Sequence, residues 1–301
     1  MEYLLTKTGE IAALTTAVLW AFTATFFTLA GKNIGSKWVN LFRLLLASLY
    51  LTVAHKIVYG KFLPDFSENN GWIYLAVSGA IGLALGDSLL FQSFLDIGTQ
   101  KSMVIMSSWP LFSSLLAYVF LNEMLNSVEI YGIILIVIGI SFVVSSKVEP
   151  HSEPNPIRGI FLSLGGAVCQ ATGILLAKQG LEKGFSALSG TVIRMIFAAL
   201  TMVVFSLFLK ALNSGQERKL NFKGLFFAFL GSIVGPFLGV WLSLYAVAHA
   251  KVGVASALMT TSPILLIPLS AAILKEKLKK WVIIGTFITV IGSILLFVSK
   301  P

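Results

Sequence analysis

The sequence predicts an all-helical integral membrane protein, with ten transmembrane helices arranged as two inverted repeats of five. Three observations support this fold: an apolar composition, recurring apolar runs of membrane-spanning length, and an internal repeat. Hydrophobic residues make up 56% of the 301 residues and charged residues only 12%, whereas a soluble domain has about 25% charged residues. Such a chain cannot cover a water-facing surface, which excludes a soluble enzyme and a disordered regulator. The single cysteine, Cys169, excludes a secreted scaffold held by internal disulfides.

Ten apolar runs are long enough to span the roughly 30 Å hydrocarbon core of a bilayer. The first is longer than the apolar region of a signal peptide, which indicates a retained helix. The runs lie at residues 11–30, 38–58, 71–95, 102–121, 128–146, 158–180, 186–209, 222–248, 252–274 and 281–298. Residues 148–157 contain three prolines, which lack the amide donor that a helix needs, and form a linker. We therefore predict a first five-helix repeat at residues 1–147, this linker, and a second repeat at residues 158–301.

The second half of the chain repeats the first. Shifted back by 153 positions, it aligns without a gap with residues 71–147. The earlier runs align less well, and Arg43 meets Arg194 at a shift of 151. Each repeat has five spans, an odd number, so the second repeat must enter the membrane from the opposite side. The residues that match at the shift of 153 include Gly82 with Gly235, Gly86 with Gly239, Pro110 with Pro263, Glu123 with Glu276, Gly132 with Gly285, and Gly139 with Gly292.

Several short motifs occur in the order and spacing of a known family. They are Leu19-Trp20-Ala21, the region of Arg43, Gly86 to Phe91, Ser107 to Leu111 with Leu121 to Glu123, and Ser256 to Pro263 with Leu274 to Glu276. With these motifs the chain resembles the EamA-type ten-helix transporters of the drug/metabolite transporter superfamily over essentially its whole length. The resemblance implies a central cavity between the two halves, through which small metabolites, amino acids among them, are exported or exchanged. One departure is Gln170, which stands where a tryptophan equivalent to Trp20 is expected.

Two matched helix breaks predict a substrate site near the middle of the membrane. Proline removes the hydrogen bond to the carbonyl four residues back, so Pro110 and Pro263 should kink the fourth and ninth helices. Carbonyls freed in the middle of the membrane need hydrogen-bond donors or water. Hydroxyl residues beside the breaks can donate to them or line water: Ser107, Ser108, Thr260 and Thr261. Broken helices at corresponding positions of two repeats are typical of a transporter binding site. The alternative is that the prolines and hydroxyl residues serve packing only.

Four ionisable residues inside predicted spans or near their ends are candidate coupling or binding charges: Asp87, Arg43, Arg194 and Lys178. Placing such a residue in lipid costs about 2.5–3.5 kcal/mol on insertion scales. Asp87 is either a proton- or cation-coupling charge or a structural partner of Arg43. Arg43 and Arg194 either extend to the lipid headgroups or bind a substrate carboxylate.

Aromatic residues within the predicted spans are candidate walls of the substrate pathway. They are Trp20, Trp109 and Tyr245. Lipid contact and packing are the alternative roles for such side chains.

The sequence lacks the motifs of familiar enzymes, namely HExxH, GxSxG and the P-loop, and we predict no cofactor and no metal site. The expected function is secondary transport of small metabolites by alternating access, with the lipid bilayer and a small-molecule substrate as partners. Without an ATP-binding motif, such transport would run on a substrate, counter-solute or proton gradient. A channel and a non-transporting membrane protein are the alternatives. The expected location is the inner cell membrane.

The side of the membrane that the termini face stays open. Ten spans place both termini on one side. Lysines and arginines are more frequent in the odd-numbered loops than in the termini and even-numbered loops, which places both termini outside by the positive-inside rule. The family resemblance instead implies cytoplasmic termini. The net charge of +9 is explained by these loops, and no nucleic-acid partner is expected.

Overall fold

The computed structural model describes residues 8–66, 70–121, 127–146, 154–212, 221–250, 255 and 258–298. Within these ranges the regular structure is entirely helical. Its helices are α1 (Thr8–Ile34), α2 (Ser36–Tyr59), α3 (Gly71–Ile97), α4 (Thr99–Met106), α5 (Trp109–Leu121), α6 (Ser127–Ser145), α7 (Pro156–Glu182), α8 (Ala187–Leu212), α9 (Phe222–His249), α10 (Ser262–Ala272) and α11 (Lys280–Val298). The expectation of an all-helical fold is confirmed.

Six described helices are long and apolar enough to cross a bilayer, namely α1, α2, α3, α7, α8 and α9. The other described helices are shorter: α4 and α5 divide the fourth predicted span, and α10 covers part of the ninth. Many large apolar side chains point outward from the long helices, for example Ile57, Phe161 and Val204. Such a surface is suited to lipid rather than to water. The multi-pass membrane character is confirmed, whereas the number of ten complete spans stays a prediction.

Local sequence sets the helix ends. Pro156 occupies the first turn of α7, where its missing amide hydrogen removes no helical hydrogen bond. The Asn221 side chain accepts a 2.8 Å hydrogen bond from the Gly224 amide and caps α9. At the end of α2, Gly60 takes a left-handed conformation with a φ of 73°. These local features fix where α2 ends and where α7 and α9 begin.

A π-helical segment interrupts the middle of both α3 and α9. The two segments, Gly79–Gly86 and Ile233–Gly239, coincide under the shift of 153 positions. Each packs against the first helix of the other half of the chain. A Cβ atom at Gly82 would contact the Gly173 backbone of α7, and one at Gly235 would collide with Thr23 of α1. π-Helical turns are frequent at functional sites because they place backbone carbonyls and side chains outside the regular helical ladder.

Helices α6 and α11 pack closely along their length through glycines. Gly139 lies against Gly285, and Gly132 lies against Gly292. A Cβ atom at Gly139, Gly285 or Gly292 would collide with the facing backbone. Because the partner's residue number falls as the number in α6 rises, the two helices run antiparallel. The two contacts exchange with each other under the shift of 153 positions. Small residues allow this approach, as is usual between membrane helices.

Candidate functional site

A central cavity of about 110 Å³ lies where the two halves of the chain meet. Both halves contribute to its wall, through α1 to α4 from the first and α7 to α9 from the second, together with residues beside the breaks before α5 and α10. The polar and charged lining residues are Thr23, Arg43, Asp87, Ser107, Gln170, Arg194, Ser243, Thr260 and Ser262. Most of the remaining wall is apolar, which is typical of small-molecule sites with a few orienting polar groups.

Aromatic and methionine side chains form most of the apolar wall. The Phe27 and Phe91 rings lie 5.0 Å apart between centroids, and Trp20 and Trp109 also face the cavity. Met103, Met106 and Met259 complete this surface, and thioether side chains adapt to ligands of different shape. The cavity therefore suits a ligand with an apolar portion.

The Arg43 guanidinium and the Asp87 carboxylate form a buried ion pair. Nη2 of Arg43 lies 2.5 Å from Oδ2 of Asp87 and also donates to the Leu83 carbonyl at 2.8 Å. Its Nε donates to Oδ1 of Asn40 at 2.7 Å, and its charge lies 4.9 Å from the centroid of the Phe91 ring. Leu83 belongs to the π segment of α3, so Arg43 satisfies both a backbone carbonyl of that segment and the carboxylate that follows it. Arg43 is 2% exposed, which corrects the expectation that it extends to the headgroups.

Arg194 is also buried but has no comparable partner. It is 1% exposed, and its Nε has no hydrogen-bond acceptor. No carboxylate of the described residues forms an ion pair with it. Its backbone packs so closely on Gly79 that a Cβ atom there would collide with the Arg194 carbonyl. Helix packing holds Arg194 inside the bundle, so the role in which its side chain extends to the lipid headgroups is wrong for Arg194 as well.

The helix breaks lie before the prolines rather than at them. Helix α4 ends at Met106, and Pro110 and Pro263 lie in the first turns of α5 and α10, where the lost amide hydrogen is tolerated. Ser107 and Ser108 donate to the carbonyls of Met103 and Ile105, at 2.9 and 2.7 Å. Both carbonyls also accept hydrogen bonds from the Ser107 and Ser108 amides, so the hydroxyls add to backbone hydrogen bonds at the end of α4 instead of replacing missing ones.

The predicted pathway residues divide into two groups. Those that line the central cavity are Trp20, Arg43, Asp87, Ser107, Trp109, Arg194 and Thr260. Those that lie outside it are Ser108, Pro110, Lys178, Tyr245, Thr261 and Pro263.

The residues outside the cavity have other contacts. Thr261 donates to the Leu258 carbonyl at 2.7 Å, and the Pro263 carbonyl accepts from Gln100 at 3.0 Å. Lys178 pairs with Glu182 near the end of α7, with the two charged groups 3.6 Å apart. Tyr245 stacks on His249 near the end of α9, and both Tyr245 and Lys178 line a separate cavity there.

Sequence reasoning missed four polar residues of the cavity as site candidates, namely Thr23, Gln170, Ser243 and Ser262. Gln170 lines it, although the sequence singled this residue out only as a departure from the family pattern. Ser262 lines it too, and its buried hydroxyl has no hydrogen-bond partner. An uncompensated polar residue within an apolar run is the feature that could have identified both. Within the described ranges no three His, Cys, Asp or Glu side chains come together as metal ligands would.

Polar contacts tie the two halves together where α3 passes into α4. The Glu276 carboxylate accepts hydrogen bonds from the Thr99 and Gln100 amides, at 2.6 and 3.1 Å, and so caps α4. Nearby, Arg158 of α7 pairs with Asp96 of α3, with 2.9 Å between Nε and Oδ2. These contacts close the bundle at this end. Glu123, which matches Glu276 in the repeat, lies outside the described residues.

Comparisons with known proteins agree with this arrangement in two halves. The sequence model of the EamA-like transporter family matches residues 7–145 and, a second time, residues 157–298. A relative from Archaeoglobus fulgidus named as an uncharacterized transporter is 22% identical over 286 residues, which are 95% of this chain and 96% of the relative. A protein of known crystal structure has a similar fold with a TM-score of 0.64 and 15% identity, over 96% of each chain.

Proposed function

Because the chain belongs to the EamA-like transporter family, we propose that it is a secondary transporter that moves small metabolites through its central cavity by alternating access. The observation that carries this proposal is the cavity itself, which both repeats line and which lies beside two broken helices. Substrate sites of secondary transporters lie at the interface between repeats. The substrates are small polar or amphipathic solutes, amino-acid-like compounds among them, and the mode is export or exchange.

Inverted repeats are the second part of the proposal. Helices α6 and α11 correspond to the fifth predicted spans of the two halves, and their antiparallel packing supports opposite orientations of the repeats. The matched π segments support it too, because each contacts the first helix of the opposite half. Rocking of one repeat against the other would then open the cavity first to one side and then to the other.

Counterflow in proteoliposomes tests the transport mechanism. Purified protein is reconstituted into vesicles loaded with an unlabelled solute, and uptake of the same solute in labelled form is measured for a panel of amino acids, sugars and organic acids. An alternating-access carrier produces a transient accumulation of label above equilibrium, whereas a channel produces simple equilibration. Equilibration without counterflow would replace the carrier by a channel, and no flux of any solute would favour a non-transporting membrane protein.

We place the protein in the inner cell membrane, and cysteine accessibility tests its topology there. In a Cys169→Ala background, single cysteines are introduced into corresponding loops of the two halves and labelled from either side with an impermeant maleimide. Ten spans in inverted repeats predict opposite accessibility for corresponding loops and equal accessibility for the two termini. Labelling of corresponding loops from the same side would contradict the inverted arrangement.

A further inference from the structure

We infer that the central cavity selects a small organic anion with one negative charge and an apolar body, and that Arg194 binds its carboxylate. This inference rests on the proposed function and names the substrate class of the same site. It begins from the charges that line the cavity. These are two guanidinium groups, Arg43 and Arg194, and one carboxylate, Asp87.

The repeat explains why one arginine lacks a carboxylate. Arg194 corresponds to Arg43 at a shift of 151, and Val240 corresponds to Asp87 at a shift of 153. The first repeat thus supplies a cation and its counter-ion, whereas the second supplies the cation and an apolar side chain. Val240 is itself part of the cavity wall. The site therefore has an excess of one positive charge. Asp87 attracts both guanidinium groups, but it is hydrogen-bonded to Arg43, and Arg194 is the one without a hydrogen-bonded carboxylate among the described residues.

An uncompensated buried cation is unfavourable within a membrane, since burial removes its hydration. A bound monoanion would neutralise the site. A zwitterion, with no net charge, would leave the excess in place, and a cation would double it. The charge balance therefore favours organic anions over amino acids among the solutes of the proposed function.

The geometry around Arg194 fits a carboxylate. Its Nε–H has no acceptor, and a guanidinium presents parallel N–H groups that match the two oxygens of a carboxylate. Gly82 faces this group without a side chain, and a Cβ atom there would lie 3.7 Å from Nη2 of Arg194. The unpartnered hydroxyl of Ser262 offers a further hydrogen bond at the cavity wall.

The rest of the wall selects the body of the ligand. Trp20, Phe27 and Trp109 and the cavity methionines provide an apolar surface, and a cavity of about 110 Å³ limits the ligand to a small one. A strongly hydrated inorganic anion such as phosphate gains nothing from these aromatic groups. Aromatic and short aliphatic carboxylates match both the charge and the wall.

Equilibrium binding to the purified protein in nanodiscs tests the charge selection. Benzoate and butyrate are titrated against benzamide, phenylalanine, chloride and inorganic phosphate, with tryptophan fluorescence as the readout because Trp20 and Trp109 line the cavity. We expect saturable binding of the two carboxylates, and benzamide binding weaker than benzoate by about tenfold or more. Equal affinity for benzoate and benzamide, tighter binding of phenylalanine or phosphate, or no binding of either carboxylate would overturn the inference.

A substitution at Val240 tests the role of Arg194 without removing the arginine. Val240→Asp restores to the second repeat the carboxylate that the first repeat has, so benzoate affinity should fall by about tenfold or more. Val240→Asn is the matched variant of similar size without the charge, and it should lose clearly less affinity than Val240→Asp, because a neutral amide leaves the positive charge of Arg194 uncompensated. Equal losses in the two variants would contradict the charge argument.

Substitutions of Arg194 complete the test. Arg194→Gln should lose benzoate binding and Arg194→Lys should keep part of it, while the exposed Lys56→Gln should behave as the wild type. If Arg194→Gln does not fold, the two Val240 variants and the wild-type titrations still test the inference. Binding and counterflow separate the two proposals. Benzoate binding without counterflow of any solute would contradict the transport proposal only. Counterflow of neutral or zwitterionic solutes without benzoate binding would contradict the anion proposal only.

Discussion

The π segments of α3 and α9 occupy equivalent places in the two repeats but lie in different chemical surroundings. Side chains of α2 satisfy carbonyls of the first segment: Arg43 donates to Leu83, and Asn40 donates to Ala84 at 2.8 Å. Asp87 follows this segment directly, whereas Val240 follows the second. The two repeats thus share the π-helical backbone of this segment, whereas the charged residue that follows it is present in the first repeat only. A symmetric scaffold thus surrounds an asymmetric cavity.

The largest expected effect comes from removing the carboxylate of the first repeat. Asp87→Asn leaves Arg43 buried without its counter-ion, and breaking a buried pair in this way destabilises a protein by about 3–5 kcal/mol. We expect a lower melting temperature in detergent and the loss of transport. Val240→Asn, at the equivalent position of the second repeat, is the control and should change the melting temperature much less.

The same variant tests proton coupling, which is one of the two roles that the sequence predicts for Asp87. Where enough Asp87→Asn protein folds, its residual flux in proteoliposomes should no longer depend on pH. Full activity that still depends on pH would contradict a coupling role for Asp87 and leave the Arg43 pair as a structural contact.

A smaller effect is expected from giving Gly79, the first residue of the first π segment, the side chain of the equivalent position in the second repeat. Gly79 corresponds to Ser232, and a Cβ atom at Gly79 would collide with the Arg194 backbone. Gly79→Ser should therefore lower the stability by about 1–3 kcal/mol through overpacking. Thermal unfolding in detergent measures the change, and Ser232→Gly is the reverse control. An unchanged melting temperature for Gly79→Ser would mean that α3 and α8 separate easily at this contact.

Replacing the guanidinium of the first repeat by an ammonium should have a moderate effect. Arg43→Lys keeps the charge near Asp87 but cannot reproduce the three donor contacts to Asp87, Leu83 and Asn40. The loss of one or two hydrogen bonds predicts a decrease in stability of about 1–2 kcal/mol. Thermal unfolding of Arg43→Lys beside Arg194→Lys measures it. A larger loss for Arg194→Lys would contradict the view that only Arg43 is fully partnered.

The smallest effect on stability is expected at the helix break of the second repeat. The hydroxyl of Ser262 has no partner, so Ser262→Ala removes a buried unsatisfied group and should change the stability by less than about 1 kcal/mol. The hydroxyl of Ser107 does have a partner, the Met103 carbonyl, and Ser107→Ala should be more destabilising. Thermal unfolding of the two variants checks this order. Ser262→Ala should weaken benzoate binding if its hydroxyl contacts the ligand.

The repeat and the spans were readable from local features of the chain. Apolar length identifies spans because the bilayer imposes it, and the matched prolines correctly marked the regions where α4 and α10 border a helix break. The π segments were not predicted, since glycine is compatible with a regular membrane helix as well as with a π turn. The burial of both arginines was also missed, because their distance from a helix end does not reveal which way the helix faces.

The sequence alone was enough to identify the class of molecule, an all-helical membrane protein with an internal repeat, and a short set of polar residues within its apolar runs. These properties follow from composition, run length and register, which depend on neighbours along the chain. The tertiary structure was needed to show that Arg43 pairs with Asp87, that Arg194 forms no ion pair with a carboxylate of the described residues, and that Gln170 and Ser262 share their cavity. Such contacts depend on the rotation and packing of helices distant in sequence, and small shifts of a helix face decide whether a side chain reaches lipid, a partner or the cavity.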